Sequence, residues 1–116
     1  MSITAARAFL KNNPNFDLLK TISARGIIVT SLCDSDQYDF VSRFFAPAAG
    51  INEDPVTGSA HCCLGPFWGK RLNKTELIGL QLSKRGGVVK VLLFDKRVVL
   101  GGKAITVFRG ELTDHV

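Results

Sequence analysis

The residues whose types and spacing are best suited to chemistry lie at positions 54–59, which read DPVTGS and lead into a predicted helix. Asp54 can accept a proton or orient a hydroxyl or amine, and Ser59 offers both a hydroxyl and a backbone N–H. Gly58 permits close approach of a ligand to the backbone. Because the first N–H groups of a helix have no intrahelical partner, this turn predicts a site for a carboxylate or a phosphate.

The same residues also have a purely structural interpretation, which the pattern leaves open. Asp and Thr are common helix caps, and Gly-Ser at a helix start can be capping chemistry. Arg43, on the preceding predicted strand, could hold a substrate carboxylate bidentately, or could pair with Asp39 or Glu53. His61 lies on a mostly apolar helix, where a histidine is more often a hydrogen-bonded core residue than a catalyst.

The cysteines favour packing over metal binding or disulfide formation. Cys33, Cys62 and Cys63 cannot all pair within one chain. The adjacent pair, Cys62 and Cys63, lacks CxxC spacing and further metal ligands in a suitable pattern, and it suits a buried helix. We therefore expect reduced thiols and no metal site.

Length and composition predict one domain over residues 1–116, with residues 1–14 as an N-terminal helix or linker. Hydrophobic residues make up 46% of the chain, which is enough for one core. No stretch approaches a membrane span and no signal-like block begins the chain, so we expect a cytoplasmic protein without a membrane partner. The net charge is +5, but the 15 Lys and Arg residues are scattered, so no nucleic-acid partner is predicted.

Several elements are needed to position the turn. Residues 26–30 and 38–46 have the β-branched and alternating patterns of strands. Residues 58–72 carry apolar side chains at separations of three and four, which predicts a largely enclosed helix with a bend or early stop at Pro66. Shorter helices are predicted over residues 3–11 and 16–22.

The remainder of the chain is predicted to be an antiparallel meander of four strands, at residues 76–84, 87–94, 97–100 and 103–112. Turns are predicted at Arg85-Gly86, Asp95-Lys96 and Gly101-Gly102. Because no helix alternates with these strands, the pattern favours an α+β fold. Its sheet would be curved and mostly antiparallel, or a partial barrel, wrapped around a central helix.

Three groups of residues together resemble the C-terminal half of the PhzF phenazine-biosynthesis-like isomerases. They are residues 43–47 (RFFAP), 50–61 (GINEDPVTGSAH) and 81–87 (QLSKRGG), and the likeness extends over about residues 16–112. The resemblance implies a fold similar to that of diaminopimelate epimerase. In that fold two pseudo-symmetric domains, each a curved sheet around a central helix, enclose a substrate cleft.

The resemblance also implies roles for individual residues. Asp54 and Ser59 would face the substrate as catalytic residues, while Thr57 and the backbone of Gly58 and Ser59 would bind its carboxylate, with Arg43 as a further binding residue. The implied reaction is a proton shift on a small acidic substrate, without metal or organic cofactor. The catalytic glutamate and its histidine partner would come from the N-terminal half, so His61 does not take that role.

These implications leave three hypotheses. In the first, the chain is an isomerase module whose cleft is completed by a second copy in a homodimer or by an N-terminal-half partner. In the second, it is a truncated paralogue without catalytic activity that serves as a binding or interaction domain. In the third, it is a truncated reading frame or a fragment of a longer enzyme.

Overall fold

The computed structural model describes residues 13–33 and 35–114, and the first helix in these ranges is short. Helix α1 covers Phe16–Leu19 and begins after Asn15, whose side chain accepts a hydrogen bond from the Leu18 N–H at 3.1 Å. It ends before the predicted limit, and the Thr21 hydroxyl donates to the Leu18 carbonyl at 2.6 Å. The helix predicted over residues 3–11 lies outside the described residues.

Six strands form one sheet: β1 (Ile27–Leu32), β2 (Phe40–Ala46), β3 (Ile51–Glu53), β4 (Glu76–Gln81), β5 (Gly87–Phe94) and β6 (Arg97–Gly101). The short strand β3 follows a 3-10 turn at Pro47–Ala49 and was not predicted. Strand β4 ends at Gln81, earlier than predicted, because Gln81 pairs with Gly87 and residues 82–86 form the connection to β5. Gly86, in this connection, has a φ of 76°.

The strand order is β1-β2-β4-β5-β6, with β3 paired to β2. Strands β4, β5 and β6 form the predicted antiparallel meander, and β1 and β2 are also antiparallel. Strands β2 and β4 are parallel, and the connection between them contains the second helix, α2 (Gly58–Leu72). The predicted α+β fold is confirmed, with a mixed, mostly antiparallel sheet, and the crossover places α2 against one face.

Helix α2 has the predicted limits, but Pro66 does not end it early. Proline removes the hydrogen bond to the carbonyl of Cys62, and Cys62 is exposed, so solvent can supply that bond. The helix ends at Asn73, which adopts a left-handed φ of 54°. None of the helices in the described part of the chain has the length and hydropathy of a bilayer span.

The core lies between α2 and the sheet. Its buried members are Phe40, Ala60, Leu64, Leu77, Val89 and Val91. Glycines on the inner face of the helix allow the close approach, since a Cβ at Gly65 would lie 2.6 Å from Cγ1 of Val91. A smaller cluster of Cys33, Val41 and Leu80 covers part of the opposite face of the sheet.

Two predictions about packing and strands are wrong. The helix α2 is not largely enclosed, because Cys62, Cys63, Pro66 and Phe67 are exposed. The sheet covers one side of the helix, and no described element covers the other. Residues 103–112 form no strand, because the described residues provide no neighbouring strand for them to pair with.

Candidate functional site

The acidic turn at residues 54–57 lies at the C-terminal end of β4 and is held by Gln81. This side chain is fully buried. Its Oε1 accepts a hydrogen bond from the Thr57 N–H at 2.8 Å, and its Nε2 donates to the Asp54 carbonyl at 2.9 Å and to Thr57 Oγ1 at 3.0 Å. One buried amide therefore fixes both ends of the acidic turn.

Ser83 and Gly87 support the same turn from the loop after β4. The Ser83 hydroxyl donates to the Pro55 carbonyl at 2.8 Å and accepts the Gly86 N–H at 2.8 Å. Gly87 lies so close to Val56 that a Cβ would overlap its side chain. Residues 81–87 thus surround the acidic turn. The sequence marked them only as part of a family resemblance, and the roles of Gln81 and Ser83 were missed.

Asp54 and Thr57 bind each other. The Thr57 hydroxyl donates to Asp54 Oδ2 at 2.6 Å, and the Asp54 N–H donates to the Phe44 carbonyl at 3.0 Å. Although Thr57 occupies the N-cap position of α2, its side chain makes no capping hydrogen bond. Capping by Thr57 therefore does not explain the cluster, and its hydroxyl instead orients the Asp54 carboxylate.

Ser59 lies on the exposed first turn of α2, and the guanidinium of Arg25 lies next to it. Arg25 Nη2 donates to Ser59 Oγ at 3.3 Å, and both residues are exposed. Gly26 brings the chain over the ring of Phe44 so closely that a Cβ there would overlap the ring. No motif or spacing in the sequence marks Arg25, because the contact joins residues 34 positions apart.

Arg43 has the ion pair that its structural interpretation required. Its guanidinium donates to both carboxylate oxygens of Glu53, at 2.7 and 2.8 Å, and lies 4.7 Å from the ring centroid of Phe45. Asp39, the other partner considered, pairs instead with Lys74 at 2.5 Å. The substrate-binding role of Arg43 stays a prediction, as do the catalytic and binding roles of Asp54, Thr57, Gly58 and Ser59.

His61 is a buried, neutral support for the acidic turn. It is 0% exposed, and its Nδ1 lies 2.7 Å from the Thr57 carbonyl oxygen, so Nδ1 carries the proton and donates it. Its Nε2 has no hydrogen-bond partner. Burial lowers the pKa of His61 below its ordinary value of 6.5, while the hydrogen bond to Thr57 acts in the opposite direction.

This burial predicts a loss of stability in mild acid. Because the pKa of His61 is lower in the folded than in the unfolded chain, the unfolded chain takes up the proton first as pH falls. The stability present above pH 6.5 is then lost as pH falls toward the folded pKa, by at most about 1.4 kcal/mol per pH unit. The test is urea unfolding of the native chain and of His61→Gln between about pH 7 and about pH 5, a range that includes the ordinary histidine pKa of 6.5. The free energy of unfolding should fall more steeply with decreasing pH for the native chain than for the variant.

A parallel pH dependence in both proteins would contradict this assignment. Carboxylates that titrate below about pH 5 affect both proteins equally, so the difference between them isolates His61.

The prediction that Cys62 and Cys63 lie on a buried helix is wrong, because both thiols are exposed on α2. They are free and exposed, whereas Cys33 is free and buried. In residues 13–33 and 35–114, no group of three or more His, Cys, Asp or Glu is arranged to hold a metal ion.

Comparison with known proteins gives one family. The family model described as phenazine biosynthesis-like protein, PhzC-PhzF, matches residues 2–110. An uncharacterized isomerase of Halalkalibacterium halodurans is 62% identical over 100 residues, and the human phenazine biosynthesis-like domain-containing protein is 40% identical over 117 residues. These matches cover 86% and 92% of this chain.

A solved structure shows the same fold. The crystal structure of a PhzF-family phenazine biosynthesis protein of Enterococcus faecalis has a TM-score of 0.78 and 46% sequence identity, and it covers 88% of this chain. The chain spans 38% of the length of both that structure and the Halalkalibacterium relative, and 41% of the human one. This share is consistent with one half of the longer proteins.

Proposed function

This chain belongs to the PhzC-PhzF family of phenazine biosynthesis-like isomerases, and we propose that it is an isomerase module that binds a small carboxylate at the start of α2. The observation that carries the proposal is the acidic turn, which Gln81 fixes at both ends while Ser59 stays exposed beside it. A preorganised site of this kind binds without first having to order its own backbone.

In the proposed complex, the backbone N–H groups of Gly58 and Ser59 and the Ser59 hydroxyl donate to the substrate carboxylate. These groups lie at a helix start whose partial positive charge favours an anion. Asp54, held by the Thr57 hydroxyl at 2.6 Å, accepts a hydrogen bond from a substrate hydroxyl or amine. The turn therefore orients the substrate at two points.

Arg25 supplies the positive charge of the proposed site. Its guanidinium already donates to Ser59 Oγ, so a carboxylate bound by Ser59 lies within reach of the same guanidinium. Arg43, whose charge is offset by Glu53, contributes less to anion binding than Arg25. The resemblance assigns the proton-transferring glutamate to the other half of the enzyme, so catalysis in this proposal depends on a second subunit or an N-terminal half.

Calorimetric titration with small mono- and dicarboxylates tests this site. We expect binding by the native chain and at least a tenfold loss, about 1.4 kcal/mol, in Asp54→Ala, Ser59→Ala and Arg25→Ala. Lys96→Ala, which removes one exposed positive charge at the β5–β6 turn, serves as the charge-matched control and should bind normally. Equal weakening by Arg25→Ala and Lys96→Ala would show that only net charge matters.

A solvent-deuterium exchange assay on the bound acids separates the catalytic module from its alternative. Exchange that depends on added N-terminal half of a relative supports the isomerase module. Binding without exchange, even with that half present, supports the non-catalytic paralogue. No binding of any carboxylate by the native chain would reject the proposed site. A cytoplasmic location stays a prediction.

A further inference from the structure

The C-terminal segment, residues 103–112, has the most exposed apolar side chains in the described part of the chain. Ile105 is 88% exposed, Val107 93%, Phe108 84% and Leu112 102%. The family model extends to residue 110, so residues 103–110 of this segment belong to the family's sequence pattern. A row of exposed apolar side chains marks a surface that another element covers.

This segment continues β6 without a turn. A two-residue hairpin at Gly101-Gly102 would need positive φ values, but the glycines with positive φ are Gly50 and Gly86. Gly101 is still part of β6. The segment therefore leads away from its own sheet and does not fold back onto it.

Strand β6 is itself an edge of the sheet. It is paired with β5 on one side, and the strand order ends there. Within residues 13–33 and 35–114, no strand pairs with its other side, whose backbone N–H and C=O groups can accept a further strand. The described part of the chain thus has both an edge strand without a second neighbour and, in line with it, a segment without a paired strand.

We propose that two copies of this chain pair antiparallel through the continuous stretch 97–112, so that the C-terminal segment of each copy adds to the β6 edge of the other. One twofold contact of this kind pairs both the β6 edge and the C-terminal segment of each copy, because the surface is complementary to itself. The two sheets then form one continuous sheet across the dimer.

Of the two registers centred on Lys103 and on Ala104, the side chains favour the one centred on Ala104. Arg97 then lies opposite Glu111 of the partner subunit, and Leu100 lies opposite Phe108 of the partner subunit. These are an opposite-charge pair and an apolar pair. A register centred on Lys103 would place that lysine opposite itself and Arg97 opposite the partner's Arg109. Like charges opposite each other destabilise such a sheet.

The pairing also brings the partner close to the proposed site. Leu100 Cδ1 lies 3.6 Å from the position a Cβ would take on Gly58, at the start of α2. Phe108 of the partner subunit, opposite Leu100 on the same face, would form an apolar wall beside the acidic turn. This consequence alone rests on the proposed function; the strand pairing does not.

Light scattering coupled to size exclusion tests the pairing across micromolar concentrations. We expect a dimer for the native chain and a monomer for Glu111→Arg, which places two arginines opposite each other. The double variant Arg97→Glu/Glu111→Arg should restore the dimer. Glu76→Arg, an exposed acidic position on β4, should leave the dimer intact as the control.

A disulfide tests the register directly. In a Cys62→Ser/Cys63→Ser background, Ala104→Cys should cross-link two copies under mild oxidation, because directly opposite Cα atoms lie about 4.5–5.5 Å apart. Thr106→Cys should not, since its two copies would be about 13 Å apart along the strands.

Three results would overturn the proposal: a native monomer, a dimer that survives removal of residues 103–116, and cross-linking at position 106 but not at 104. Circular dichroism checks that the shortened chain is folded. Carboxylate titration of the Glu111→Arg variant separates the two proposals, because the acidic turn can bind an acid even where the dimer fails.

Discussion

Replacing Gln81 with leucine is expected to lower the free energy of unfolding by about 3–4 kcal/mol. Leucine keeps the approximate volume but removes the hydrogen bonds to the Thr57 N–H and the Asp54 carbonyl, at 2.8 and 2.9 Å. Each buried backbone group left without a partner costs about 1–3 kcal/mol. Urea unfolding followed by circular dichroism measures the change, and calorimetry should show weaker carboxylate binding because the acidic turn is no longer fixed.

Two variants make this prediction specific. Gln37 is the other glutamine of the chain and is exposed, so Gln37→Leu should change stability by less than about 0.5 kcal/mol. Gln81→Glu keeps an oxygen that can accept the Thr57 N–H but loses the two Nε2 donations and buries a charge. Similar stability of Gln81→Leu and the native protein would show that the acidic turn holds its shape without the amide.

Replacing Phe40 with alanine is expected to cost about 3–5 kcal/mol of unfolding free energy, because it opens a cavity in the centre of the core. Phe40 is 0% exposed, its ring stacks on Trp68 with centroids 6.4 Å apart, and His61 lies 5.8 Å away. Opposite it on β4 lies Gly79, where a Cβ would be 2.6 Å from Phe40 Cε2. Because Gly79 has no side chain, the Phe40 ring fills the space above it, and in Phe40→Ala the residue at position 79 has no side chain to fill the cavity.

Phe94→Ala is the matched control, since Phe94 is a phenylalanine of the same sheet that is 70% exposed. Its loss should change stability by less than about 0.5 kcal/mol. Chemical unfolding of the two variants, at one concentration to hold any dimerisation constant, gives the comparison. Equal losses for Phe40→Ala and Phe94→Ala would contradict the placement of the core.

The two proposals describe complementary parts of one cleft. The chain's own residues provide the acidic turn, the exposed start of α2 and Arg25. The side of α2 with Cys62, Cys63 and Phe67 and the C-terminal segment are exposed in the described structure, and the proposals assign them to a partner. A second copy would cover the segment and place Phe108 of the partner subunit beside the turn, whereas an N-terminal half would add the proposed proton carrier.

Features that depend on neighbours in sequence were predictable. The limits of α2 and β5 follow from the change between helical and alternating periodicity, and the turn at Asp95 and Lys96 follows from the short polar break between two apolar runs. The position of the acidic turn directly before α2 was equally local. Periodicity also identified the face of β2 that contains Phe40 and Phe44.

Features that depend on residues far apart in sequence required the tertiary structure. The amide of Gln81 reaches Thr57 across 24 positions and Arg25 reaches Ser59 across 34. The sequence also left Asp39 and Glu53 as alternative ion-pair partners of Arg43, and the structure selects Glu53. The sequence by itself determined the α+β pattern and the acidic turn at the start of a helix. Only the tertiary structure decided what fixes that turn and which cation lies beside it, because a parallel crossover brings the ends of β2 and β4 together. It also showed that no strand among the described residues lies beside residues 103–112, and a strand forms only where a neighbour can share its hydrogen bonds.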